Sequence, residues 1–229
     1  ATDDVLVEGK FASQVAALQA DPDAGVAYGW TAYRSDGSHG EDRPWKRTGE
    51  RIERMFPSFL QSRWWGTSTP LYRRSVTDAV GPWSNLWNEE DWEYDCRVAA
   101  LDVRLAYVPS FVSIQRDHGG TRLSRAVSSD PEKLKNRARA HALILDHARR
   151  AGIGPRTPEM EHFARELFLL SRQCGAAGLS EESRELAGLA RSASGGGGRG
   201  LDVWFYSRLA GILGWRRLGR FASGLDRLR

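Results

Sequence analysis

An abrupt change of character after Gly119-Gly120 restricts the fold of this 229-residue chain more than any other feature. Ahead of that point β-prone segments alternate with short helical ones, and beyond it only helical periodicity is found. Residues 9–20 place Phe11, Val15 and Leu18 at helical spacing, and Asp21-Pro22-Asp23 stops that helix. Gly25 to Arg34, rich in Val, Tyr, Trp and Thr, reads as a strand followed by a turn at Asp36-Gly37. A short charged helix is expected over Gly49–Phe56, a buried strand over Thr67–Tyr72, and a short helix over Arg73–Val80. Glu89 to Leu101 reads as a helix whose acidic first turn suits the positive end of its dipole. Arg104 to Arg116 is a strongly β-prone strand. Helices then cover 131–150 and 158–193, with breaks at Gly152 to Pro155 and at Gly175 to Leu179. Phe168, Gly178, Leu186 and Ala190 in the second stretch fit one helix-turn-helix unit of the tetratricopeptide kind. A linker around Gly195-Gly196-Gly197-Gly198 leads into a final helix. The order predicts an α/β layer followed by an all-helical region, divided as 1–128, 129–194 and 195–229.

Charge is unevenly spread. Residues 195–229 hold seven Arg and two Asp, net +5, whereas the remaining residues sum to −1. The body has no basic surface for a phosphate backbone, so nucleic acid is excluded as its partner. Any anionic surface is met by the tail. Cys96 and Cys174 stand alone in helical contexts, which excludes a disulfide framework and sets a reducing, cytoplasmic compartment as the expectation. No signal peptide is read in the sequence. The longest apolar-rich stretch, Leu201 to Trp215, carries Asp202 and Arg208 and is too short to span a bilayer.

Two acidic clusters lie far apart in sequence: Asp3-Asp4 before Val5-Leu6, and Glu89-Glu90-Asp91-Trp92-Glu93. Adjacent carboxylates at a strand end hold Mg²⁺ or Mn²⁺, or else cap the following helix. A carboxylate in the first turn of a helix, with an aromatic beside it, serves as general base for a hydroxyl, or else satisfies the helix dipole. Trp64 and Trp65, next to Thr67, Ser68 and Thr69, offer a sugar-stacking aromatic or a packed core. Trp83, Trp87 and Trp92 crowd the second acidic cluster.

The segment Asp3-Asp4-Val5-Leu6 with Gly9-Lys10-Phe11 resembles the acidic donor-side motif of family 2 glycosyltransferases. Gly81-Pro82-Trp83 followed by Glu90-Asp91-Trp92-Glu93 and Arg97 is similar to the acceptor-side motif of the same family. The resemblance covers residues 1–128 and implies the later part of a GT-A type, Rossmann-like mixed sheet. It implies an inverting, metal-dependent transfer of a sugar from a nucleoside-diphosphate sugar to an acceptor hydroxyl of a glycan or lipid-linked molecule. In that frame Asp91 is the catalytic base, Glu90, Trp65 and Trp92 contact the acceptor, and Asp3 and Asp4 meet metal and donor. His118, in Gln115-Arg116-Asp117-His118-Gly119-Gly120, is implied as a second metal contact, with Arg122, Ser124 and Arg125 facing phosphate. Many members carry a further Asp where this chain has Ala1, which makes Asp4 the expected metal ligand. Arg97 is expected to be structural, pairing with an acid such as Glu93. The family builds its nucleotide pocket mostly from an earlier βαβ portion, so the chain by itself is expected to be inactive.

The tail carries a separate expectation. Leu218, Phe221, Ala222, Leu225 and Leu228 form one helical stripe opposite Arg216, Arg217, Arg220 and Arg227. Such a helix over 201–229 either lies on the inner, anionic face of a membrane or docks on the α/β body. A reading of a different class follows from this half of the chain: a non-catalytic helical scaffold that binds a partner or a membrane surface.

Overall fold

The computed structural model describes residues 4–35, 43–117, 130–195 and 198–226. In chain order they form β1 (Val5–Leu6), α1 (Lys10–Ala20), β2 (Ala24–Ser35), β3 (Leu71–Tyr72), α2 (Arg74–Val80), α3 (Glu90–Ala99), β4 (Arg104–Asp117), α4 (Pro131–Arg150), α5 (Pro158–Ala177), α6 (Ser180–Ala193), α7 (Gly198–Leu213) and α8 (Trp215–Asp226). The fold class is mixed α/β. Two compact units are present, one of Ala1–Trp83 with Tyr94–Thr121, the other of Ser84–Glu93 with Arg122–Arg229. The division falls inside α3. Residues Ser84–Glu93 fall in the second unit, as do the described residues after 195.

The first unit is built on a four-stranded sheet in the order β1-β4-β2-β3. Its centre is the parallel pair β2 and β4, with β1 and β3 antiparallel at the two edges. A parallel pair covered on both faces needs apolar residues in succession, which is why Val26, Ala27 and Tyr28 are all fully buried. Register shifts where Gly29 meets β4. A Cβ at Gly29 would lie 2.7 Å from Val112 Cγ1 and 2.8 Å from the Ser110 carbonyl oxygen. Glycine is what lets the two strands close at this bulge. Tyr28, Phe59, Trp64 and Trp65 fill the core beside the sheet, with ring centroids 5.1 Å apart for Tyr28–Trp65 and 4.8 Å for Phe59–Trp65.

Three local expectations are corrected. In α1 the apolar residues Phe11 and Val15 are exposed, and the buried face is Lys10, Gln14 and Leu18. Both sets repeat every four residues, so they differ by one position of helix rotation, and the polar pair is retained because its hydrogen bonds are met. Lys10 Nζ donates to Gln14 Oε1 and, at 2.9 Å, to the Thr69 carbonyl; Gln14 Nε2 donates to the Ala27 carbonyl at 2.9 Å. Leu18 then packs against Ala24, Ala27 and Ala106. Secondly, Gly49–Phe56 is not helical. Its backbone is taken up by sheet residues: Tyr28 Oη donates to the Glu50 carbonyl, Ile52 N–H donates to Tyr28 Oη, and Leu105 N–H donates to the Glu53 carbonyl. Thirdly, only Leu71–Tyr72 of the stretch 67–72 pairs as a strand. Thr69 turns back instead, and its hydroxyl meets those of Thr31 and Ser113 at 2.6 and 3.1 Å in a fully buried trio.

Burial lowers the Lys10 ammonium to about 8. The folded state thus binds fewer protons than the unfolded state between about pH 8 and the usual lysine range, so this group adds stability as pH rises through that window. Above pH 10 the sign reverses, because burial pushes the Tyr28 phenol up to about 12 and only the unfolded phenol ionises there. The urea midpoint of the wild type is expected to rise between pH 7.5 and 9.5, with the slope flattened in Lys10→Met. Parallel pH profiles for the two proteins would remove Lys10 as the source.

The second unit is a helical assembly. Asp130 caps α4 by accepting from Glu132 N–H at 3.0 Å, with Pro131 at its first turn. The pair α5 and α6, expected as one helix-turn-helix unit, is joined at Gly178 and locked by reciprocal bonds, Ser171 Oγ to the Ser183 carbonyl at 2.7 Å and Ser183 Oγ to the Ser171 carbonyl at 2.8 Å. The single final helix of the sequence reading is two helices, parted at Gly214. α7 begins at Gly198, inside the stretch expected to be a linker. α8 packs along α5.

Candidate functional site

Of the expected donor-side residues, Asp4 lies within the described part of the first unit, immediately ahead of β1. Pairing of Val5 with Ile114 and of Leu6 with Ser113 fixes the strand that delivers it. Asp4 is half-buried, and its Oδ2 accepts from Ser68 Oγ at 3.0 Å. Ser68 sits in the turn closed by Thr69 N–H on the Gly66 carbonyl, directly beside the buried hydroxyl trio. The polar run 67–69 therefore orients a carboxylate, a role its composition alone did not specify. Asp3, His118 and Arg122 lie outside the described residues.

The acceptor-side cluster opens α3. Five carboxylates occur from Glu89 to Asp95. Glu89 precedes the helix with φ 61°, a backbone region unfavourable to a side-chain-bearing residue. It is held there by Arg137 Nε at 2.8 Å and His141 Nδ1 at 3.0 Å, both on α4. Burial pushes the Glu89 carboxyl up, but His141 and Arg137 together outweigh it and leave it below the ordinary glutamate value. Glu93 is buried and accepts from His147 Nε2 at 2.8 Å and from Ser84 Oγ. Since Arg150 donates to the other ring nitrogen, His147 carries its proton on Nε2. Asp95, in the first unit, is fully buried and accepts from Arg63, Trp65 and Tyr72. Glu90 and Asp91 are both half-buried on the first turn of α3.

Trp65 is fully buried, with Tyr28 and Phe59 against its ring and its indole N–H on Asp95 Oδ2 at 3.0 Å. It is a core residue here, and the expectation that it stacks on a sugar is corrected, because no ring face is open. Trp92 packs edge-on against His141 and Phe163, at 5.4 and 6.0 Å between centroids. Trp87, two residues ahead of Glu89, is 46% exposed. In the first unit Trp83 is equally exposed and stacks on Tyr94 at 4.7 Å. Arg97, expected to pair with an acid such as Glu93, donates to the carbonyls of Val80 at 3.3 Å and Pro82 at 2.9 Å. Sequence reasoning missed Glu89, Glu93 and Asp95 as clamped residues. Their signal was the density of acids itself, too many for one reactive group.

Among the described residues there is no cluster of three His, Cys, Asp or Glu side chains able to enclose a metal. No helix among them is long and apolar enough to cross a membrane.

No family model matches the chain, and no curated protein matches it in sequence. Among solved structures it is similar in fold to Staphylococcus aureus TarS residues 1–349, crystallised with UDP-GlcNAc. That similarity has a TM-score of 0.47 and 11% identity over 93% of this chain. The chain spans 66% of the length of that structure.

Proposed function

We propose that this chain carries part of the catalytic apparatus of an inverting glycosyltransferase that moves a sugar from a nucleoside-diphosphate donor to an acceptor hydroxyl. The observation that carries the reading is the placement of Glu90 and Asp91, half-buried on the first turn of α3, a turn fixed by Glu89 on Arg137 and His141 and by Glu93 on His147. Asp91 is the general base. It takes the proton of the acceptor hydroxyl as that oxygen bonds the anomeric carbon, while the bond from that carbon to the diphosphate breaks on the opposite side. Glu90 positions the acceptor, and Trp92 anchors the turn through His141 and Phe163. Exposed Trp87 takes over the sugar-stacking role expected of Trp65.

Asp4 meets the donor. A divalent ion, Mg²⁺ or Mn²⁺, supplies neutralisation of the leaving diphosphate when bound. The donor set fits such an ion in kind, since Mg²⁺ is commonly held by one or two carboxylates plus substrate phosphates, and Ser68 already orients the Asp4 oxygens. Asp3 and His118 are the remaining proposed contacts, with Arg122 on phosphate. We place the reaction in the cytoplasm: Cys96 and Cys174 are buried thiols without a disulfide, the state a reducing compartment maintains.

The test is release of nucleoside diphosphate from a panel of nucleotide sugars by the natural polypeptide that carries these residues. Asp91→Asn is expected to lower kcat by about a hundredfold or more, with thermal stability and donor affinity retained. Unchanged turnover removes Asp91 from the role.

A further inference from the structure

α7 is apolar on two opposite sides, whereas the stability of the helical unit requires only one of them. Val203, Tyr206 and Ala210 are buried against the rest of the unit. On the far side Leu201, Phe205, Leu209 and Ile212 recur at helical spacing and stand in solvent, Phe205 58% and Ile212 81% exposed. A surface helix of a globular protein carries polar residues there. The same side bears Arg208, whose guanidinium lies 5.2 Å from the Trp204 ring, and Trp204 in turn packs edge-on against Phe205 at 4.9 Å. On α8 the outward residues are Arg216, Arg217, Arg220 and Phe221.

The combination selects one occupant. A second copy of this chain would bring the exposed Arg208, Arg216, Arg217 and Arg220 against the same arginines. An anionic lipid surface offers hydrocarbon for the apolar stripe and phosphate or carboxylate for the arginines. Tryptophan beside arginine at the boundary of an apolar stripe suits the headgroup level of a bilayer. At 16 residues α7 is about 24 Å long, and with its other side packed on protein it lies in the interface plane.

We propose that the outward side of α7, with the arginines of α8, seats this protein on an anionic membrane surface. The site is independent of the glycosyl-transfer reading and is tested without any activity assay. Full-length chain is floated with phosphatidylcholine vesicles, with and without phosphatidylserine. Binding is expected to the phosphatidylserine vesicles, weakened by added salt. Brominated lipid is expected to quench tryptophan fluorescence in the bound state. Phe205→Glu with Ile212→Glu, and separately Arg216→Glu with Arg217→Glu and Arg220→Glu, alter exposed side chains. Each set is expected to weaken binding about a hundredfold at unchanged helicity. The proposal is overturned if the wild type ignores anionic vesicles, or if either variant set binds as the wild type does. It is equally overturned if the wild type self-associates and Phe205→Glu with Ile212→Glu yields a monomer without any vesicle binding having been present. Quenching and salt dependence of the wild type decide the matter even where a variant fails to fold.

Discussion

Asp95→Ala is expected to destabilise the sheet unit by about 3–5 kcal/mol, the cost of stripping one partner from a buried ion pair. Asp95 is fully buried, and one of its oxygens receives Arg63 Nε at 2.6 Å and Trp65 Nε1 at 3.0 Å. The other receives the Tyr72 hydroxyl. Arg63 itself is 9% exposed, so removal of the carboxylate leaves a positive charge, an indole N–H and a phenol facing a void. Burial, followed by the nearby Asp95 charge, holds the Tyr72 phenol well above its usual range, so it stays a hydrogen-bond donor at any physiological pH. Against the roughly 5–15 kcal/mol that keeps an ordinary domain folded, such a loss is a large share. A fall in melting temperature of roughly 10–20 °C is the expected readout. The double change Arg63→Met with Asp95→Leu removes both charges and is expected to recover much of the loss. A melting temperature within a few degrees of wild type for Asp95→Ala would mean the carboxylate is not the keystone described.

Gly219→Ala tests the place of the tail by the sign of its effect. In a helix that touches nothing, Ala in place of Gly stabilises by about 1 kcal/mol. Here a Cβ at residue 219 would stand 2.4 Å from Ala176 N, 2.6 Å from the Gly175 carbonyl carbon and 2.9 Å from the Arg172 carbonyl oxygen. All three are backbone atoms of α5 and have no side-chain freedom with which to yield. On the other side of the crossing, a Cβ at Gly175 would stand 2.8 Å from the Trp215 carbonyl oxygen. Two glycines thus let α5 and α8 approach backbone to backbone. Net destabilisation of about 2–3 kcal/mol is expected for Gly219→Ala, and more for Gly219→Val, as α8 lifts and Trp215 and Ala222 enter water. Thermal unfolding and proteolysis near Gly214 report both. A stabilised Gly219→Ala protein would show that α8 is not packed on α5 in solution.

Much of the architecture was legible in the residues. The strand Ala24–Ser35 and the strand Arg104–Asp117 announce themselves through dense Val, Tyr, Trp and Ile, because a central parallel pair is buried on both faces. The long helices α4, α5 and α6 follow from periodicity, Pro131 and Pro158 at their starts, and Gly178 between the last two. The acidic opening of α3 was equally plain. Less of the site could be read. Sequence spacing puts Glu89, Glu90, Asp91, Glu93 and Asp95 in one group and cannot name the partners of Glu89, Glu93 and Asp95, since Arg63, Arg137, His141 and His147 are distant in the chain.

The amino-acid order by itself determined where the long helices α4, α5 and α6 and the central strands β2 and β4 run, because those choices rest on local periodicity, capping and backbone sterics. It also determined that the tail is basic and apolar at once. Only the tertiary structure decided which side of each element is buried. α1 turns Lys10 and Gln14 inward because the Thr69 and Ala27 carbonyls are there to receive them, and Phe11 is left outside. Trp65 is taken from solvent because Asp95 offers its indole a partner in the core. A side chain's hydrophobicity favours burial, but the choice between two faces one residue apart is made by hydrogen-bond partners that only folding brings near.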